Sequence, residues 1–148
     1  MYNIERSSKW YQHTPEHEKV ITKDHMKILW DFNIHTDKVI HHRRPDIVVV
    51  NSADKTVEII DVAIPGDKRV QEKEKEKIDH YTDLKIELQR IWHSKISITP
   101  VVIGALGTVS KDHKKFLTKI NMAHKQKQIQ KCAVLGTAHI LRRVLGKE

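Results

Sequence analysis

A mixed four-stranded sheet flanked by helices, an α/β (α+β) fold, is the class this sequence predicts. Two apolar, β-branched runs at 47–50 and 57–63 are joined by the polar turn Ser52-Ala53-Asp54-Lys55, the pattern of an antiparallel hairpin. A 3.6-residue apolar period then runs through 68–92 and leads into a further strand-like run at 96–103. The chain has 148 residues, 39% of them hydrophobic and 31% charged, enough to bury a core as one domain and too apolar for a disordered segment.

The elements follow in order. Residues 1–25 are polar, and Thr14-Pro15-Glu16 has the form of an N-cap, a first-turn proline and an acid, so a short helix is expected to start there. The segment 27–34 (KILWDFNI) reads as a strand with Trp30 and Phe32 on one face, and Val39 and Ile40 extend the sheet after a bend at Thr36-Asp37. Both hairpin strands are apolar on both faces apart from Glu58, so the hairpin belongs in the middle of the sheet, covered on each side. Pro65-Gly66-Asp67 ends the second strand. Val70, Lys77, Tyr81, Leu84, Leu88 and Ile91 share one face of the helix expected over 68–92. The strand 96–103 carries Pro100, a bulge or edge feature, and Gly104 and Gly107 form a turn. Helices over 110–124 and 127–145 complete the chain, with Gly136 marking a close approach or a kink in the last.

One pair of residues stands out chemically. With the hairpin turn centred on Ala53 and Asp54, Asp46 falls directly opposite Asp61 at the open end. Both share a face with Val48, Val50, Val57 and Ile59. Directly opposed side chains have Cβ atoms ~4.5–5.5 Å apart, and like charges there repel. A divalent cation is the simplest reason for such a pair, since Mg²⁺ favours one or two carboxylates plus water and phosphate oxygens. The alternative is a slipped register that leaves one aspartate capping a strand end. Lys77 is the second anomaly: it lies on the apolar helix face, four residues before Tyr81. It suits a phosphate-neutralising role near the same sheet end, or else a stem that snorkels to water.

Arg43-Arg44-Pro45-Asp46, fourteen intervening residues, Asp61-Val62-Ala63, and then Lys77 and Tyr81 resemble the PD-(D/E)XK restriction-endonuclease-like superfamily. The blocks KILWDFNI, RRPDIVVV, IIDVAIPGD, DLKIELQRIW, PVVIGALGT and LGTAHILRRVL, in that order, are similar to the endonuclease domain of site-specific LINE-type (non-LTR) retrotransposons. The resemblance covers about 30–145 and implies a restriction-endonuclease-like core over the single domain 1–148. It implies a Mg²⁺-dependent nuclease, with Mn²⁺ as a substitute, that nicks target DNA in the nucleus. Asp46 and Asp61 would be metal ligands. Ala63 stands where the superfamily usually has its lysine; in the retrotransposon branch that lysine comes from the following helix, where Lys77 matches and Lys73 is the fallback. Tyr81 matches a tyrosine on the same helix face, and Arg44 the basic residue before the PD pair. Glu16 and Glu18 are the candidates for a first-helix glutamate. No reverse-transcriptase sequence is included, so an excised domain, a truncated copy and a domesticated descendant are all open, as are a homodimer and a longer reverse-transcriptase polyprotein.

Charge distribution adds a DNA surface. The net charge is +8, and residues 111–148 alone carry ten basic and two acidic side chains. This basic helical segment suits a polyanion, nucleic acid before an anionic membrane. Lys111, Lys114, Lys115 and Lys119, with Arg43, Arg44, Lys68 and Arg69 near the acidic pair, are the expected DNA contacts. Phe116, Leu117, Ile120, Ile129, Cys132, Leu141 and Val144 are expected to dock these helices on the body. No apolar run reaches the ~20 residues of a membrane span. Residues 1–19 lack a secretory signal pattern, and the one cysteine, Cys132, excludes an internal disulfide framework, so an intracellular setting is expected. His13-Thr14-Pro15-Glu16-His17 fits a zinc-protease string, but Pro15 belongs at a helix start and leaves His13 outside. Residues 104–108 (GALGT) form a strand-to-helix turn, with backbone contact to a DNA phosphate as the sharper alternative. The competing functions are a catalytically silent DNA-binding module of the same fold and a structure-selective junction resolvase.

Overall fold

The computed structural model describes residues 20–30, 34, 36, 40 and 44–146. Among them, five strands form one mixed sheet in the spatial order β1-β2-β3-β4-β5: β1 Val20–Lys23, β2 Met26–Trp30, β3 Ile47–Asn51, β4 Thr56–Ala63 and β5 Lys95–Val102. The first four pair antiparallel in succession. The Lys95 N–H donates to the Lys55 carbonyl and the Ile103 N–H to the Ala63 carbonyl. That constant offset makes β5 parallel to β4. The α/β class is therefore as expected, with five strands instead of four. The extra strand, β1, pairs with β2 through a two-residue turn in which Asp24 takes φ 52°, a conformation that aspartate tolerates better than most residues. Val20, Thr22 and Lys23 are exposed, so β1 is an edge strand without the apolar alternation that would announce it. The expected first helix, Phe32 and Val39 lie outside the described residues, and Ile40 is half-buried but not in a strand.

The chain divides into two compact units. The first holds the chain up to Asp61 together with Ile78–Thr99. Its centre is the β3–β4 hairpin, paired Ile47 with Ile60, Val48 with Ile59 and Val50 with Val57, the register expected from a turn at Ala53 and Asp54. Asn51 sets that turn: its Oδ1 accepts the Ala53 and Asp54 amides at 3.1 Å each, and its Nδ2 donates to Asp54. Lys55 closes the turn at φ 53°. One sheet face, made by Leu29, Val48, Val57, Ile59, Ile96 and Ile98, packs on Tyr81, Leu84 and Leu88. On the other face Ile28, Val49 and Ile60 are buried too. There Glu58 accepts hydrogen bonds from the hydroxyls of Ser97 and Thr99 on β5, which makes a half-buried carboxylate tolerable.

The single helix expected over 68–92 is two helices, α1 Val70–His80 and α2 Thr82–Trp92, preceded by a 3₁₀ turn at Asp67–Arg69. Tyr81 stands between them at φ −102°, ψ 7°. The Thr82 hydroxyl donates to the Ile78 carbonyl at 2.8 Å, a local side-chain bond that competes with the helical ladder. The break turns Tyr81 inward, where it is 5% exposed.

The second unit holds Val62–Lys77 and the chain from Pro100 onward. It contains α3 His113–Lys119, a 3₁₀ turn at Ala123–Lys125 and α4 Gln126–Val144. Val70, Val102, Ile103, His113, Leu117, Ile120 and Ala133 are buried. Docking of the last helix is shallower than expected. Ile129 is half-buried, but Cys132 is exposed, and Ile140, Leu141, Val144 and Leu145 are 52–76% exposed. An amphipathic period marks which face is apolar without saying whether anything covers it. A Cβ added at Gly136 would meet nothing within 4 Å, so this glycine reflects no close approach. No described helix is long and apolar enough to cross a membrane.

Candidate active site

The hairpin register, carried one residue beyond Ile47 and Ile60, sets Asp46 opposite Asp61. Their environments differ sharply. Asp46 is exposed at the mouth of the hairpin, whereas Asp61 is 2% exposed. The Asp46 N–H donates to Asp61 Oδ1 at 3.2 Å. A carboxylate this buried needs donors, and a second comes from the helix side. The Tyr81 hydroxyl lies 3.4 Å from Asp61 Oδ1 and 3.4 Å from the Arg44 carbonyl. Burial, then the negative charges of Asp61 and Asp46, push the Tyr81 phenol pKa well up. The phenol therefore keeps its proton and acts as a donor. Asp46, Asp61, Tyr81 and the Arg44 backbone thus meet at one end of the sheet.

The donor set suits a hard divalent cation held partly by water or substrate oxygens. Two carboxylates of opposed strands supply the oxygen ligands Mg²⁺ prefers. No group of three or more His, Cys, Asp or Glu side chains gathers as a metal cage among the described residues, so any ion here would keep most of its shell for other ligands.

The remaining expected site residues fall elsewhere on the chain. Arg44 is exposed and contributes its carbonyl at the Tyr81 hydroxyl; Arg43 lies outside the described residues, as do Glu16, Glu18, His41 and His42. Lys77 is half-buried in the last turn of α1 and belongs to the second unit, and Lys73 pairs with Glu76 at 2.8 Å. Lys68 and Arg69 are exposed in the 3₁₀ turn Asp67–Arg69, with Arg69 paired to Glu72 at 3.2 Å. Lys111, Lys114, Lys115 and Lys119 are all exposed on or just before α3.

Two features of the second unit have no local signal in the sequence. Glu74 is buried on α1 and accepts a hydrogen bond from Ser110; burial raises its pKa, Ser110 lowers it and nearby Asp112 raises it. Asp67 organises the 104–108 turn. Its Oδ1 accepts the Leu106 amide at 2.9 Å, and its Oδ2 accepts the Thr108 hydroxyl. These bonds hold its carboxyl pKa below the usual value. Acceptors and donors 39 and 41 residues apart leave no trace in spacing or period.

No protein-family model and no curated protein matches the chain.

Proposed function

We propose that the protein is a Mg²⁺-dependent DNA endonuclease that nicks target DNA, in the manner of the retrotransposon endonucleases its sequence resembles or of a domesticated derivative. The observation that carries the reading is the apposition of Asp46 and Asp61 in a register that nothing but the hairpin itself imposes, with the buried Tyr81 hydroxyl at the inner carboxylate. Two like charges at opposed positions cost stability, and a phosphodiester-cleaving site is a reason to keep them.

In this reading Asp46 and Asp61 hold the ion. When bound, Mg²⁺ supplies Lewis acidity toward a phosphate oxygen and a water made nucleophilic near neutral pH. Asp61 is the fixed ligand, its Oδ1 oriented by the Asp46 amide and the Tyr81 hydroxyl. Tyr81 keeps its proton and orients. Asp46, exposed, is the ligand that faces the DNA. Lys77 is the lysine that the resemblance offers for favouring the phosphate's charge in the transition state. Arg43, Arg44, Lys68, Arg69 and the α3 lysines bind the DNA backbone, giving affinity without sequence preference.

The test is a nicking assay on supercoiled plasmid with Mg²⁺, with Mn²⁺ and with EDTA. Asp46→Ala and Asp61→Ala should each abolish nicking while leaving DNA binding largely intact, and Lys77→Met should reduce cutting more than binding. Full cleavage by either aspartate variant overturns the reading. Metal-independent DNA binding with no nicking by the parent chain would instead make this a silent DNA-binding module.

A further inference from the structure

The turn at 104–108 is held more tightly than a connection between a strand and a helix requires. Every amide from Gly104 to Gly107 is engaged within the second unit. The Gly104 N–H donates to the Thr108 carbonyl at 2.7 Å, and the Ala105 N–H to the Pro65 carbonyl at 2.9 Å. The Leu106 N–H goes to Asp67 Oδ1 at 2.9 Å and the Gly107 N–H to the Gly104 carbonyl at 2.8 Å. From the other side Gln130 on α4 donates its Nε2 to the Gly107 carbonyl at 2.9 Å. Two glycines make the shape attainable. A Cβ at Gly104 would collide with the Asp67 carboxylate and come within 3.0 Å of its Cα, and Gly107 sits at φ 96°, a region side chains disfavour.

This bonding rules out one use of the turn and points to another. With the amides of Gly104 to Gly107 already engaged, none of these four is left to donate to a phosphate. What it presents is Leu106, 75% exposed at the tip. Single exposed leucines are ordinary on protein surfaces. This one sits on a turn pinned by the 65–67 segment, by α4 and by its own bonds. The cations nearest in sequence are Lys68 and Arg69, directly after Asp67, and Lys111, three residues past the turn, all exposed, with Arg69 paired to Glu72. A rigidly mounted apolar side chain on a turn flanked in sequence by exposed cations has the chemistry of a wedge. Proteins that kink duplex DNA hold the phosphates with cations and insert a Leu, Ile, Met or Phe between base steps.

We propose that Leu106 is a DNA wedge, a prong that enters a base step and unstacks it while Lys68, Arg69 and Lys111 hold the flanking phosphates. The inference rests on the DNA reading above and adds the substrate feature it selects: a step that opens cheaply, such as a mismatch, a bulge or a flexible pyrimidine–purine step.

The experiment compares two labelled duplexes of about 30 base pairs and one arbitrary sequence, fully matched or carrying a central two-base mismatch. The full chain binds them in EDTA, so neither is cut. The mismatch removes much of the unstacking cost, so the parent chain should bind it about tenfold more tightly than the matched duplex. Leu106→Ala removes only an exposed side chain and should bring the ratio close to one, with the salt dependence on matched DNA unchanged. Asp67→Ala leaves Leu106 in place but frees its turn, and should lower the ratio as well. A Leu106→Ala ratio equal to that of the parent overturns the wedge, as does a parent that binds both duplexes equally; the DNA reading stands in both cases. A parent that binds neither duplex removes the DNA reading and the wedge with it.

Discussion

Replacing Asp61 by asparagine separates the electrostatic cost of the acidic pair from its use. The substitution leaves the local hydrogen bonds in place, because an asparagine Oδ1 still accepts from the Asp46 amide and the Tyr81 hydroxyl. What Asp61→Asn removes is one of two like charges ~5 Å apart on opposed strands. At that separation the repulsion is about 0.8 kcal/mol in water and about 3 kcal/mol at an effective dielectric constant of ~20. Asp46 is exposed and Asp61 buried, so the pair falls between these limits, at about 1–2 kcal/mol. For a chain of this size each kcal/mol moves the melting temperature by about 2–4 °C. In EDTA the Asp61→Asn variant should therefore melt roughly 2–8 °C above the parent. Mg²⁺ reverses the order: at a concentration about a hundredfold over its Kd it adds about 2.7 kcal/mol to a chain that binds it, which the variant does not. Differential scanning calorimetry with and without Mg²⁺ reads both effects. A variant that melts below the parent in EDTA, or shows the parent's full Mg²⁺ shift, refutes the argument that the pair is strained and that a cation relieves it.

Three further outcomes are expected. Replacing Lys114, Lys115 and Lys119 by glutamine should flatten the dependence of log affinity on log salt by about 0.9 for each phosphate no longer neutralised and weaken binding to all duplexes alike; fluorescence anisotropy across a salt series checks this, and an unchanged slope means these lysines are only solvated. Gly104→Ala should destabilise by about 1–3 kcal/mol, because its Cβ meets Asp67, whereas Gly136→Ala, in an open helical position, should stabilise by about 0.5–1 kcal/mol; urea melts of the two variants should move in opposite directions. His113 is fully buried, and burial alone holds its pKa below 6.5. The unfolded chain then binds the proton more readily, so the stability this neutral histidine contributes is present above pH ~6.5 and is lost as pH falls below it. His113→Leu should flatten the decline in melting temperature between about pH 7 and pH 5, and an unchanged slope would assign that decline to other groups.

The hairpin is legible in the sequence because two β-branched runs flank a short polar turn, and centring that turn gives the register; burial does not give it, since Val48, Val49, Ile59 and Ile60 are covered on both faces. The Asn51 side chain closes the turn. The opposition of Asp46 and Asp61 follows directly. Tyr81 is legible as a buried residue on the right helix face, but not as a helix break, because the break depends on a Thr82 hydroxyl choosing the Ile78 carbonyl over water. β1 is not legible: an edge strand with exposed Val20, Thr22 and Lys23 buries too little to leave a pattern. The apolar stripe of α4 is visible, but the exposure of Leu141 and Val144 is not, since amphipathicity records what a helix could bury. Asp67 has the least signal of all, since its partners come from a turn that only the tertiary fold brings to it.

The two sides of β4 are paired by connections of very different length, and this has a kinetic consequence. β3 reaches β4 through the four turn residues 52–55, while β5 joins it only after α1 and α2. Short loops close at lower entropic cost, and pairings close in sequence form sooner than distant ones. The hairpin is thus the natural early element of folding, and the two aspartates are brought together with it, before Tyr81, at the break ahead of α2, has to dock. Their repulsion then acts on the transition state as well as on the finished fold. Relieving it, by Asp61→Asn or by a divalent cation, should shorten the folding time more than it lengthens the unfolding time, so that the residues proposed to cut DNA also set the pace at which the chain reaches its native state.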